Sequence, residues 1–466
     1  MGYIDFLVPK PDGTDITDCL RGTIEQARAA GGGRIIVPVG AWVTGAIRLF
    51  DNMELHLQAG AILLAATDYE AYRDGEVSVI AENSNRALIV ARDAENVSIT
   101  GPGMIDGRGE AWCEDRMARG VKLALPRRPR IVAFEACSNV RISDLHVRKA
   151  PMWTIHLIDC CQILVRDCVI ENDLFMPNTD GVNFDGCQDG VLRDCTIRAA
   201  DDCVCLKTSA QDGQDRGMAC ERILVTGCKF SSNSCAVKIG TETYRDIRDA
   251  VVRNCAITES NRAFGIFSRD GGTIERILFE YCSVDCRWTP DGFWGNGEAV
   301  TINALPRRAG MPPGEVRDII VRSISGTMES TINLVGSEDR PLKRIMLCEI
   351  DLVQTQGDPA TLPELDLRPT QADLNQDRDP SVGIANAWKL DDHGRVIGLT
   401  PYPEGLPGLW AEHVAPLALR SVTINRPDPL PERWNPQDIT IGDGTQLEPD
   451  AGQIALPRLA DPYAAA

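Results

Sequence analysis

The chain has 466 residues, 43% of them apolar and 25% charged, with a formal net charge of -19. That length and apolar share allow a large buried core, in one elongated unit or two compact domains, and exclude a disordered chain. The acidic balance leaves no basic footprint for nucleic acid or anionic lipid and weakens long-range attraction of polyanions, although local basic residues can override it.

The first residues, MGYIDFLVPKPDGTD, lack the basic, apolar and small-residue regions of a signal peptide. No later apolar run reaches the roughly 20 residues of a membrane span. The expectation is a soluble, cytoplasmic chain with no membrane partner. DITDCLRGTIEQARAA then predicts a capped amphipathic helix ending at Gly31-Gly32-Gly33, suited to closing the first open coil of a solenoid.

Seventeen cysteines spread over this length do not make a small secreted disulfide scaffold. Cys168, Cys195, Cys228, Cys255 and Cys282 each close a short β-branched run: ILVRDC, GVLRDC, ILVTGC, AVVRNC and ILFEYC. Their interval of about 27 residues, stretched once, signals a solenoid. Cys137, Cys160, Cys187 and Cys220 form a second file just upstream of such runs. Both files read as small apolar thiols stacked in a narrow core, without the CxxC clustering of structural zinc, so neither metal nor other cofactor is expected. Cys203 and Cys205 are expected on alternate residues of one strand face.

Each repeat holds two or three strands of four to six residues between Asn, Asp and Gly turns, followed from Asn96 to Gly336. No repeat has a helical period long enough to cover a sheet face, so neighbouring repeats must bury those faces. The expected fold is all-β: a single-domain right-handed parallel β-helix with a short N-terminal capping helix, spanning residues 1–355, its coils roughly 4.8 Å apart. Residues 356–466 are expected to form the last irregular coils, including LALRSVTINRP from Leu417, and a Pro-rich covering tail.

Two look-alike segments stand out on this ladder. Aligning DGVNFDGC at Asp180 with DCVCLKTS at Asp202 and CAVKIGTE at Cys235 puts Asp180, Asp202 and Cys235 at equivalent positions of successive coils, with Asp201 alongside. Three carboxylates so close should raise at least one pKa, the condition for a protonated general acid near neutral pH. Such a trio suits glycosidic cleavage with inversion, one carboxylic acid protonating the leaving oxygen while carboxylates activate water. The same spacing also fits ordinary turn aspartates or a Ca²⁺ site.

NTDG at Asn178 and ADDC at Ala200 resemble the paired motifs of glycoside hydrolase family 28, the polygalacturonase and rhamnogalacturonan hydrolase family. DGTD at Asp12, GGGRIIVPVGAWVTGAIRL from Gly31 and GPGMIDGRGEAW from Gly101 resemble that family's first coils, and the similarity covers roughly residues 10 to 350. The resemblance implies an inverting, single-displacement hydrolase on a right-handed β-helix. By motif, Asp201 is then the general acid, Asp180 and Asp202 activate water, and Asn178 orients the site.

Two departures bear on the substrate. Where polygalacturonases carry Gly-His-Gly, this chain has Ser234-Cys235-Ala236, and where they carry the Arg-x-Lys carboxylate clamp it has Gly265 and Phe267. A desolvated sugar carboxylate needs a paired cation, so the expected substrate is a pectin-derived or related plant oligosaccharide losing a neutral or modified sugar, rhamnose first, by exo action. An exo-polygalacturonase with a relocated clamp supplied by Lys207, Lys238 or Arg269 stays open. So does a polysaccharide lyase on the same fold, and a third class is a binding β-helix that leaves the glycan intact. Lys238, Glu242, Arg269 and Asp270 are nominated for sugar binding against the alternative of structural ion pairs. His156, one turn before the Asp180 coil, is a ligand or a satisfied strand histidine. Trp153, Trp288 and Trp294 are stacking candidates whose default is packing. The expected partner is the oligosaccharide, and a monomer is the simplest assembly.

Overall fold

A computed structural model describes residues 4–118, 120–210, 217–289, 293–307, 310–358, 364–368, 398–449, 452, 454, 456–457, 459 and 461–463. Strands stack in parallel register along a right-handed β-helix, each coil pairing with the one before and after. One face carries the strands β1 (Arg130–Glu135), β2 (Ile155–Ile158), β3 (Val182–Asp185), β4 (Val204–Thr208), β5 (Cys235–Thr243) and β6 (Arg262–Ser268), paired in that order. A second face runs through Cys161–Arg166, Gln188–Arg193, Cys220–Thr226 and Ile247–Arg253. A third runs through Val169–Glu171, Thr196–Ala199, Lys229–Ser232 and Ala256–Ser260. From Ile274–Cys286 onward one long strand pairs with both of these faces, so the corner between them becomes a bend within a strand.

The corner explains the sequence repeat. The residue before each cysteine of the first file adopts a left-handed conformation: Asp167 (φ 52°), Asp194 (φ 54°), Gly227 (φ 67°), Asn254 (φ 55°) and Tyr281 (φ 54°). Short polar residues and glycine tolerate that region best, which is why Asp, Gly and Asn recur there. The following Cys168, Cys195, Cys228, Cys255 and Cys282 turn inward and are buried in the single large core that runs the length of the helix. Cys137, Cys160, Cys187 and Cys220 line the same core, and all seventeen cysteines are free thiols.

The helix Thr17–Ala29 buries Leu20, Thr23, Ile24 and Ala27, a stripe at helical spacing, against the first coils. Its N-terminus is Ile16, and the cap comes from Asp15, whose carboxylate accepts the Thr17 N–H at 2.9 Å. At the other end the Gly32 N–H closes on the Ala27 carbonyl (2.9 Å), with Gly32 at φ 125°.

The stretch from Gly31 likened to first coils does form coils ahead of the repeat legible from Asn96: Gly33–Val37 pairs in parallel with Met53–Leu57, and that strand with Ser98–Thr100. Those first coils differ in length, so no fixed period marks them. Cys203 and Cys205 do not share a face: the strand starts at Val204, Cys203 lies in the main core, and Cys205 stands outside it in line with Lys238. Most of the Pro-rich stretch after residue 355 lies outside the described residues. Leu417–Asn425 pairs in parallel with Lys343–Gln354 as a further coil. Ile454, Leu459 and Tyr463 pack against an outer ladder formed by Leu164, Val191, Leu224, Val251, Leu278 and Ile320. Among the described residues no helix is long and apolar enough to cross a membrane.

Candidate active site

Register brings the aspartates together. Val182 of β3 pairs with Val204 of β4, and Val204 with Val237 of β5. Two residues ahead of each stand Asp180, Asp202 and Cys235, in one file across three coils. The backbone confirms it: the Gly181 N–H donates to the Asp202 carbonyl (2.8 Å) and the Cys203 N–H to the Cys235 carbonyl (3.1 Å). Asp201 is adjacent, one carboxylate oxygen accepting the Asp202 N–H at 3.0 Å. The aspartates sit in the bends leading into these strands, where parallel pairing holds them at coil spacing with no helix or long loop involved.

Exposure separates the three. Asp180 and Asp202 are 3% and 1% exposed, whereas Asp201 is half-buried. Burial, then the neighbouring Asp201 charge, pushes the Asp180 carboxyl well above the usual carboxylate range, and Lys207 offsets only part of this. One Asp180 oxygen, Oδ1, has no hydrogen-bond partner. Burial also pushes Asp202 up, to about 6, with Lys238 pulling down and Asp201 pushing up. Lys238 Nζ lies 2.7 Å from Asp202 Oδ2, and the Ser234 hydroxyl donates to Oδ1 at 3.3 Å. The crowding of three carboxyls therefore keeps a proton within the trio near neutral pH, while Lys238 favours Asp202 as a carboxylate.

The nominated contacts fall into two groups. Asn178 is 5% exposed and left-handed (φ 59°), its Oδ1 accepting from Arg128 at 2.8 Å and its Nδ2 donating to Glu82 at 3.3 Å. Lys238 pairs with Asp202, not with Glu242. Glu242 instead lies near Lys207 (3.5 Å) and Arg307 (3.8 Å). Lys207, one coil on from Asp185, places its ammonium 3.7 Å from the centre of the Trp153 ring.

The second group is buried. His156 is completely enclosed, with Nε2 3.0 Å from Asp185 Oδ2 and its ring edge-on to Trp153. Burial depresses its pKa to about 4, so it is neutral. Arg269 is also fully enclosed and donates to the carbonyls of Ser268 (2.9 Å) and Leu367 (3.4 Å). Asp270 receives a two-pronged bond from Arg307, at 3.0 and 2.6 Å. Buried ionisable groups take local partners, here Asp185, two backbone carbonyls and Arg307, while His156 Nδ1 has no hydrogen-bond partner.

Sequence reasoning missed Glu82, Arg128 and Arg307. Glu82 is carried by the antiparallel hairpin of Glu76–Ala81 and Ser84–Arg92, on a two-residue turn with positive φ at Glu82 (47°) and Asn83 (58°). It reaches Asn178 from far back in the chain, and burial pushes its carboxyl up to about 7, with Arg128 pulling down and Asp201 pushing up. Arg128 anchors the Asn178 turn through the carbonyls of Pro151 (3.0 Å) and Pro177 (2.8 Å). No motif marked any of the three. A turn-forming Glu-Asn between two alternating apolar runs was the only readable signal, and it announced a hairpin without its destination.

The two motif departures are structurally filled. A Cβ on Gly265 would meet the Phe267 ring at 2.4 Å and Cys235 Sγ at 3.0 Å, so the ring occupies the room a larger residue at 265 would need. Phe267 itself is enclosed near the guanidinium groups of Arg262 and Arg269. Cys235, in file with the aspartates, is buried and its thiol is pushed far up by that burial, which leaves it inert. Among the described residues no cluster of His, Cys, Asp and Glu has the arrangement of a metal site.

Comparison with known proteins gives a consistent set of likenesses. The family model for Glycosyl hydrolases family 28 matches residues 66–361. A probable polygalacturonase of Vitis vinifera is 30% identical over 251 residues, covering 52% of this chain and 50% of that protein. The chain spans about half the length of the first curated relatives it matches. Among solved structures, a hyperthermoactive exopolygalacturonase from Thermotoga maritima aligns with a TM-score of 0.64 at 24% identity, over 76% of this chain and 87% of that one. The family 28 exopolygalacturonase of Yersinia enterocolitica gives 0.65 at 14% identity, over 96% and 78%. At these identities the solved structures establish the shared fold.

Proposed function

The chain belongs to glycosyl hydrolases family 28, and from that premise we propose that it is an inverting glycoside hydrolase of pectin-derived oligosaccharides. The observation that carries the reading is the file of Asp180 and Asp202 on adjacent coils with Asp201 beside them, only Asp201 being open to solvent. Asp201, the accessible member, delivers to the leaving glycosidic oxygen the one proton that the trio retains, and becomes a carboxylate. Asp202, kept as a carboxylate by Lys238, takes a proton from water as that water attacks the anomeric carbon from the opposite face. Asp180, buried beside them, is the second carboxyl assigned to activating the water.

Exo action on short chains draws on the exopolygalacturonases among the similar structures. Release of a neutral or modified sugar, rhamnose first, draws on Gly265 and Phe267, which leave no clamp where the family's Arg-x-Lys would stand. The test is mass spectrometry of a panel of pectic oligosaccharides incubated in ¹⁸O-labelled water. A shortened product with one heavy oxygen is expected, and the mass lost identifies the released sugar. A product lighter by one water and unlabelled means a lyase and overturns the roles given to the trio. Asp201→Asn should lower kcat by about 10²–10⁴-fold with the fold intact.

A further inference from the structure

Beside the trio, two cations lie almost out of reach of water: the side chains of Lys207 and Arg307 are 4% and 7% exposed. Glu242 stands between them, 31% exposed, with Oε2 3.5 Å from Lys207 Nζ and Oε1 3.8 Å from Arg307 Nη1. Both separations exceed the roughly 2.7–2.9 Å of a direct charge-assisted hydrogen bond, so Glu242 is held by charge and not by a tight lock. Arg307 already spends its fork on Asp270, at 3.0 and 2.6 Å, and donates to the Thr241 hydroxyl at 3.1 Å. Lys207 faces Trp153 on one side, with the Asp180 and Asp185 carboxyls also in its field. Burial works against the Glu242 carboxylate, yet Lys207 and then Arg307 hold its pKa well below the usual range, so it stays ionised.

We propose that Glu242 is a specificity-determining residue: its carboxylate fills the place between Lys207 and Arg307 that a uronate carboxylate would need, so the subsite beside the trio takes a neutral sugar. The inference rests on reading this region as a glycan-cleaving site. A uronate entering here meets cations already matched by Glu242 and Asp270, and the like charges of Glu242 itself and of the Asp202 carboxylate beside Lys238. A neutral sugar meets the same carboxylate as a hydrogen-bond acceptor for its hydroxyls. The chemistry therefore favours an uncharged or esterified sugar and penalises a free acid.

The test is calorimetric binding of trigalacturonate and of its fully methyl-esterified form, in an Asp201→Asn background that prevents cleavage. Glu242→Gln keeps the shape and removes the charge, and Glu242→Ala removes both. Each should raise the ratio of free-acid to ester affinity by about tenfold or more. A ratio within twofold of the parent, or no binding of either trisaccharide to any variant, overturns the proposal. Hydrolysis is read separately by heavy-oxygen labelling on the unsubstituted chain. A failed glycosidase reading with a shifted ratio, and the reverse, are thus distinguishable.

Discussion

At Asp202 one residue shows how burial and pairing compete. Its enclosure drives the carboxyl up to about 6, against Lys238 at 2.7 Å, which favours the charged form. As the proposed base it works only when ionised, and it is ionised above that value. The sign follows: kcat/KM should fall as pH drops through about 6, and fall again at higher pH as the trio loses the proton that Asp201 delivers, measured on any oligosaccharide the enzyme cleaves. Lys238→Met removes the stabilising charge, so the acid limb should move to higher pH. At this scale the sequence was informative about Asp180, Asp201 and Asp202, because short motifs on successive coils announce their own neighbours. It was silent about Glu82 and Arg128, since contact between residues so distant in the chain is decided by which coil a hairpin folds over.

Within a coil, the element that repeats is a corner. Asn254 sits there at φ 55° with its side chain exposed, so its demand on sequence is almost entirely a backbone one. Asn254→Val should cost about 1–2 kcal/mol, since a β-branched residue is strained in the left-handed region. Asn254→Gly should stay within about 1 kcal/mol, because glycine meets that conformation at little steric cost. Chemical denaturation of the pair separates backbone strain from lost contacts. The corner was readable as RDC, TGC and RNC, and the cysteine after it as a core position. The strands near the N-terminus were harder to see as coils, because unequal coil lengths erase the period even where the pairing is identical.

Over the whole molecule, stability comes from one continuous core and not from covalent links. Cys19, Cys113, Cys161 and Cys348 are half-buried, and the other thirteen thiols are buried in the coil stack. A thiol reagent should therefore modify at most about four cysteines in the native protein and all seventeen after unfolding, while reductant leaves the melting temperature unchanged. Rapid native modification of Cys168 or Cys195 would contradict the packed core. The sequence by itself determined the solenoid, its repeat and the neighbouring of Asp180, Asp201 and Asp202, because a parallel β-helix writes local periodicity and neighbouring coils share register. Only the tertiary structure decided how the charges are partnered: Lys238 on Asp202, Glu242 between Lys207 and Arg307, Arg307 on Asp270, with His156 and Arg269 buried. The reason is physical: in a crowded low-dielectric site each ion takes the partner that geometry brings within a few ångströms, and that choice has no signature in residue spacing.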